Sequence, residues 1–157
     1  MPRHELDAID RKLLGILQQD ARTTSEQLSA LVGLSPSPCA RRVRNLEAAG
    51  IIKGYVAVVD QVLVDLPISV FASIKLERQR EEELDRFANA IRQWPEIVEC
   101  YLMTGKFDYL LRIVVKDLAA YEAFLKQTLT RLDGVASIES SFALGQVKQS
   151  NVLPIPG

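Results

Sequence analysis

Thr24-Ser25-Glu26-Gln27-Leu28-Ser29-Ala30-Leu31-Val32-Gly33-Leu34-Ser35-Pro36-Ser37-Pro38-Cys39-Ala40-Arg41-Arg42-Val43-Arg44-Asn45-Leu46 reads as two helices and the corner between them. The Thr24 hydroxyl can cap the amide of Gln27 while that glutamine reaches back, a reciprocal start to a helix. The spacing predicts a short helix, about nine residues long, that buries Leu28, Leu31 and Val32 and stops at Gly33. Ser35 then stands as an N-cap, with Pro36 and Pro38 in a first turn where a missing amide hydrogen costs no helical bond. The second helix runs to Gly50. Cys39, Val43 and Leu46, at i, i+4 and i+7, form its inward stripe. Ser37, Pro38, Arg41, Arg44 and Asn45 therefore point outward, and Arg42 lies on the flank.

Upstream, Asp7 with Asp10 three positions later announces another helix, with Ile9, Leu13, Leu14, Ile16 and Leu17 at helical spacing and an end near Gln19. Downstream, Ile51 to Val59 is rich in β-branched and aromatic residues and predicts a short strand or hairpin packed back on the helices. Residues 1–59 thus form one unit, and 60–67 a linker.

Beyond the linker the period changes. Ile68, Val70, Ala72, Ile74 and Leu76 alternate strictly, then Leu84, Phe87, Ala88 and Ile91 follow a helical stripe that ends near Trp94-Pro95. Val98, Cys100, Leu102 and Thr104 alternate again, Gly105-Lys106-Phe107 turns the chain, and Tyr109, Leu111, Ile113 and Val115 return it. Leu118, Tyr121, Leu125, Leu129 and Leu132 give a second helix stopped by Gly134, and Val135 to Val147 a last strand. The order βαββαβ over residues 68–157 is that of a ferredoxin-like sandwich, which leaves one sheet face bare. The fold class is α+β, a helix-turn-helix (winged-helix-like) domain followed by a ferredoxin-like βαββαβ domain.

Charge sharpens the division. Across 157 residues the net charge is -1, which excludes a polybasic nucleic-acid binder, and 48% apolar and 25% charged residues mark a globular chain. Residues 1–53 carry eight Lys and Arg against six Asp and Glu, whereas 54–157 carry eleven against fourteen. From Ser35 to Tyr55 there are four basic residues and one acidic, Glu47. Two cysteines, Cys39 and Cys100, and one histidine, His4, provide neither a disulfide framework nor a zinc site of known spacing. With His4 beside the N-terminus, a Ser-His or Cys-His catalytic pair has no base, so neither catalytic residues nor a cofactor are expected. No apolar stretch reads as a signal peptide or membrane span, and a reducing cytoplasm is the expected compartment.

A corner of two helices with a basic second member matches the geometry that lays a recognition helix in the DNA major groove. Arginine forks suit guanine edges and phosphates, and serine hydroxyls suit backbone oxygens. Ser35, Ser37, Pro38, Arg41, Arg42, Arg44 and Asn45 are the candidate DNA contacts. On its own, such a face is equally a solvated helix surface, with Arg44 paired to Glu47.

Several spaced motifs extend this reading over nearly the whole chain: Leu6-Asp7-x-x-Asp10-x-x-Leu13-Leu14, Asp20-Ala21-Arg22, Leu34-Ser35-Pro36-Ser37, and Arg42-Val43-x-x-Leu46-Glu47-x-x-Gly50-Ile51-Ile52. Pro95-Glu96-Ile97-Val98, Thr104-Gly105-x-x-Asp108-Tyr109, and Gly134-Val135 leading to Ser140-Ser141-Phe142 continue it. The chain resembles the Lrp/AsnC family of bacterial and archaeal transcription regulators, the feast/famine regulatory proteins. Its tail, through Leu153-Pro154-Ile155, is similar to the branch whose members answer to leucine, methionine or cysteine. Leu66-Pro67 departs from the Leu-Gly pair common in the family.

The resemblance implies a DNA-binding domain, a ligand-sensing domain, dimers formed through the C-terminal sheets and a ring of four dimers. It places a small amino acid at the second hairpin turn, between dimers. Asp108 then offers an acceptor for the ammonium, while the amides near Gly105 and the hydroxyls of Thr104, Ser140 or Ser141 offer donors for the carboxylate. Met103 or Phe107 shapes the side-chain end. Gly105 and Asp108 are also what a tight hairpin requires, and paired serines also bond across a strand. Independently of the family, a sheet face carrying Phe71, Tyr101 or Met103 needs cover, and isologous pairing supplies it. The expected function is a sequence-specific regulator that binds double-stranded operator DNA as a homodimer or larger assembly and is modulated by an amino acid. The alternatives are a ligand-independent architectural DNA-organising protein, or an enzyme on the ferredoxin-like sheet, for which no acid-base pair is in evidence.

Overall fold

The computed structural model describes residues 5–156, so His4 lies outside the described residues. Two compact units form: Met1–Val58 with Val147–Gly157, and Val59–Gln146.

In the first unit, α1 (Ala8–Gln19) opens with the expected cap. The Asp10 amide donates to Asp7 Oδ1 at 2.8 Å and the Asp7 amide donates to Asp10 Oδ2 at 3.3 Å. Thr24 and Gln27 cap α2 (Ser25–Val32) in the same reciprocal way. Gly33 then takes a left-handed conformation (φ 73°), from which its amide and that of Leu34 both donate to the Ser29 carbonyl. Ser35 holds the N-cap position of α3 (Pro36–Ala48), but its hydroxyl makes no capping bond. Pro38, at the third helical position, has no amide hydrogen to offer, which removes one of the two usual donors to such a cap.

Leu13, Leu17, Leu28 and Cys39 form the core of this unit, with Ile9, Ile16, Val32, Leu34, Val43 and Ile52 packed around them. Leu46 is also fully buried. Leu31 is 52% exposed, contrary to the expectation that it is buried. The inward side of α2 centres on Leu28 and the buried Ser29, and at about 100° per residue Leu31 falls outside that sector.

The expected strand or hairpin at Ile51 to Val59 is absent. Ile51 and Ile52 donate to the Leu46 carbonyl, after which residues 53–59 run without a backbone hydrogen bond among the described residues, and Val56 is 84% exposed. A β-rich composition makes a strand only where a second strand meets it. The tail also differs from expectation. Residues 68–157 were expected to be one domain, yet Val147–Gly157 groups with the first unit, where the Leu153 amide donates to Gln18 Oε1 and Gln18 Nε2 donates to the Leu153 carbonyl. Leu17, Gln18, Ile52, Val56, Leu153 and Ile155 line a groove of about 780 Å³.

The second unit is the βαββαβ sandwich. Its elements are β1 (Ile68–Leu76), α4 (Glu81–Ile91), β2 (Ile97–Leu102), β3 (Tyr109–Val115), α5 (Leu118–Gln127) and β4 (Val135–Phe142), with a 3-10 turn at Leu129–Arg131. All neighbouring strands are antiparallel in the order β2-β3-β1-β4. Val70, Ala72, Ile74 and Leu76 of β1 and Tyr109, Leu111, Ile113 and Val115 of β3 are buried with Phe87, Ile91, Tyr121 and Phe124 from the helices. Strand β2 lies at the edge with Val98 in a register slip between Ile97 and Glu99, and both Val98 and Leu102 are exposed despite their alternation. Residues 60–66 are not a bare linker. Asp60 Oδ1 accepts from the Val62 and Leu63 amides, and the Gln61 side chain bonds Ser69 on β1.

Candidate nucleic-acid and effector surfaces

The first surface is α3. Ser37, Arg41 and Arg44 share its outer side at i, i+4 and i+7, all three exposed, with Ser35 and Asn45 exposed beside them and Pro38 half-buried. Among the described residues Arg41 and Arg44 form no ion pair. Glu47, which the sequence offers as a partner for Arg44, instead accepts a 2.8 Å hydrogen bond from the Tyr55 hydroxyl. Burial, and then that carboxylate, push the Tyr55 phenol up to about 12. Tyr55 thereby ties the extended segment to α3 and leaves both arginines facing solvent.

Arg42 is placed differently. Its Nη1 donates to Asp7 Oδ2 at 2.7 Å and to Asp10 Oδ1 at 2.8 Å. The Asp10 amide above all, with the Arg42 guanidinium, holds the Asp7 carboxyl below its ordinary range. The guanidinium read from sequence as a flanking phosphate contact is engaged inside the unit. Sequence spacing alone did not show this, although two acids at a helix start are a signal of surplus negative charge.

The second surface surrounds the β2–β3 hairpin turn. Thr104 and Gly105 are exposed at its tip, where Gly105 has φ 109°, and Phe107 is half-buried with Lys106 Nζ 4.7 Å from its ring centre. Asp108 is buried. Its amide donates to the Ile74 carbonyl, Oδ2 accepts from the Leu76 amide at 2.7 Å, and Oδ1 lies 3.3 Å from Lys75 Nζ. Burial pushes its carboxyl up, but the Leu76 amide, Lys75 and Gln79 outweigh that and hold it below the ordinary 3.8. The side chain thus extends the β1–β3 ladder past its last backbone pair, Ile74 with Tyr109.

Ser140 and Ser141 point to opposite sides of the sheet. Ser140 pairs with Ala72 in the buried register, and its hydroxyl meets that of Tyr121 on α5. Ser141 pairs with Phe71 on the open side, the face that also carries Tyr101 and the Arg112–Glu99 ion pair. Within one chain, then, the six effector candidates do not converge. Thr104, Gly105 and Phe107 share the turn, Asp108 is committed beneath it, and the two serines are divided by the strand's alternation.

A profile described as Lrp/AsnC ligand binding domain matches residues 69–153, and one described as winged helix-turn-helix DNA-binding matches 6–53. The Bkd operon transcriptional regulator of Pseudomonas aeruginosa is 47% identical over 151 residues, covering 96% of this chain and 99% of that protein. The leucine-responsive regulatory protein of Escherichia coli is 44% identical over 98% of this chain and 94% of its own length. Among solved structures, a transcriptional regulator from Neisseria meningitidis in complex with L-Met is 39% identical with a TM-score of 0.90, over 96% of this chain and 97% of that one. An AsnC family regulator from Agrobacterium tumefaciens is 42% identical with a TM-score of 0.89, over 95% and 97%.

Proposed function

Since the chain belongs to the Lrp/AsnC family, we propose that it is a transcriptional regulator that grips operator DNA with α3 and has its affinity for that DNA adjusted by a small amino acid bound at the second unit. The observation that carries this reading is the outer side of α3, where Arg41 and Arg44 stand exposed and, among the described residues, without an ion-pair partner, while Glu47 is occupied by Tyr55. A helix with two free guanidinium forks has the donors that guanine edges and phosphates accept. Ser35 and Ser37 add hydroxyls for the backbone, and the Ser35 hydroxyl is not used in capping.

The effector is an α-amino acid with an apolar side chain, in keeping with the relatives named for leucine and solved with L-Met. The turn Thr104–Phe107 and the open-side Ser141 are its contacts in this reading, with Asp108 shaping the turn from below. The open sheet face is where two copies meet, because Phe71 and Tyr101 lie exposed on a four-stranded sheet and a C2 contact covers both copies at once. Two α3 helices then address a palindromic site. Ligand acts by favouring one of two assembly states, since only unequal affinity for those states can alter DNA binding. The protein performs no chemistry and works on DNA in the cytoplasm.

Selection of bound genomic fragments, repeated with each amino acid, tests this. Enrichment of a palindromic promoter sequence, with a change in affinity caused by one or a few apolar amino acids, is the expected result. Enrichment unaffected by any amino acid supports the architectural reading instead. Absence of any preferred fragment overturns both.

A further inference from the structure

We infer that Asp7 and Asp10 are positioning residues for DNA recognition, holding α3 at its working angle through the Arg42 guanidinium. The inference rests on α3 being the DNA-contacting helix. Its basis is that the same two carboxylates serve both the cap of α1 and the arginine. Asp7 Oδ1 accepts the Asp10 amide and Asp10 Oδ2 accepts the Asp7 amide, which completes the cap of α1. The other two oxygens, Asp7 Oδ2 and Asp10 Oδ1, both accept from Arg42 Nη1. Each carboxylate is thus fixed by the cap before it meets the arginine, and the ion pair spans 35 and 32 residues of chain.

Capping does not require this charge. In the same unit Thr24 and Gln27 cap α2 with neutral side chains. Negative charge on a DNA-facing unit also opposes phosphate, so two carboxylates there weaken binding unless they serve another end. Placing Arg42 is such an end. The apolar contacts of α1 with α3, through residues such as Leu13, Leu17 and Cys39, are non-directional and permit sliding. A charge-assisted bond from α3 to a preset pair of acids has a direction, and it fixes where Arg41 and Arg44 on the neighbouring side of the helix are delivered. Arg42 acts on recognition through Asp7 and Asp10 and makes no phosphate contact.

The test compares full-length variants on the selected operator and on non-cognate duplex, across a salt titration, with thermal unfolding alongside. Charge alone predicts that Asp10→Asn strengthens binding to every duplex. The clamp predicts the opposite for the operator, a fall of about tenfold, the scale of one misread base pair, with non-cognate binding not reduced. Arg42→Met gives a similar fall with its salt slope unchanged, and the double variant is no weaker than the weaker single one. Asp7→Asn retains a good N-cap residue and loses operator preference without losing the helix start. A salt slope reduced by about one unit per protomer in Arg42→Met, on both duplexes, makes Arg42 a phosphate contact and overturns the inference. So does a lower unfolding temperature in every variant with an unchanged ratio of operator to non-cognate affinity. A wild-type chain without operator preference removes the DNA reading itself, which the variants alone cannot do.

Discussion

The Gln18 side chain holds Leu153 by both of its backbone polar groups: Oε1 accepts from the Leu153 amide at 2.6 Å, and Nε2 donates to its carbonyl at 3.3 Å. One glutamine thus does what a neighbouring strand would do, and it brings the last residues of the chain against the helix that begins the first unit.

Gln18→Ala therefore releases the tail. The expected cost to the first unit is about 1 kcal/mol, since the pair is solvent-accessible. Deletion from Val147 onward should match or exceed it. Thermal unfolding gives the size, and amide exchange at Leu153 should accelerate in the substituted protein. An unchanged exchange rate at that amide would mean the hydrogen bonds do not hold the tail.

Arg41 and Arg44 should separate into readers of bases and readers of phosphate. Alanine at a base-reading position costs about 1–3 kcal/mol of operator binding, and at a phosphate position it lowers the salt slope by about one unit per protomer. Two alanine variants that both bind as the wild type does throughout a salt titration would remove α3 from the interface.

Asp108→Ala leaves the Leu76 amide without its acceptor and should destabilise the second unit by about 2 kcal/mol, whether or not an amino acid is present. Because the folded carboxyl sits below its ordinary 3.8, its contribution is complete above that value and is lost as pH falls through the lower folded value. The wild type should lose stability on acidification below about pH 4, and Asp108→Asn, which keeps an acceptor but cannot ionise, should lose less over the same range. Parallel acid unfolding curves for the two would contradict this account.

The neighbouring serines provide an internal contrast. Ser140→Ala strands the Tyr121 hydroxyl under α5 and should cost about 1 kcal/mol, whereas Ser141→Ala, on the open face, should leave the monomer's stability unchanged. Any loss of amino-acid response without loss of stability is expected from Ser141 alone. The opposite assignment, found by unfolding and by titration with ligand, would relocate the effector surface.

The local grammar of helices proved readable because it is written within a few residues. Asp7 with Asp10, Thr24 with Gln27, and Gly33 each act over no more than four positions, and each sits where its side chain or its lack of one dictates. The alternation of β1 and β3 was equally plain, since both are central strands with one face buried. What failed depended on partners distant in sequence. Ile51 to Val59 has strand-forming residues but no strand beside it among the described residues. The contacts of Arg42 with acids on another helix, and of Asp108 with the Leu76 amide of another strand, are likewise set by residues distant in sequence. Ser140 and Ser141, adjacent on β4, face opposite sides of the sheet, a separation that follows from strand alternation once the strand is placed.

The chain leaves the first unit after Val58 and comes back to it only at Val147. A ribosome makes the three helices early, at about 5–20 residues per second, but the segment that Gln18 grips is made only after the whole of the second unit. Completion of the first unit during synthesis therefore waits on the second, and a product cut short before Val147 carries an unfinished groove in the unit that holds the DNA-binding helices.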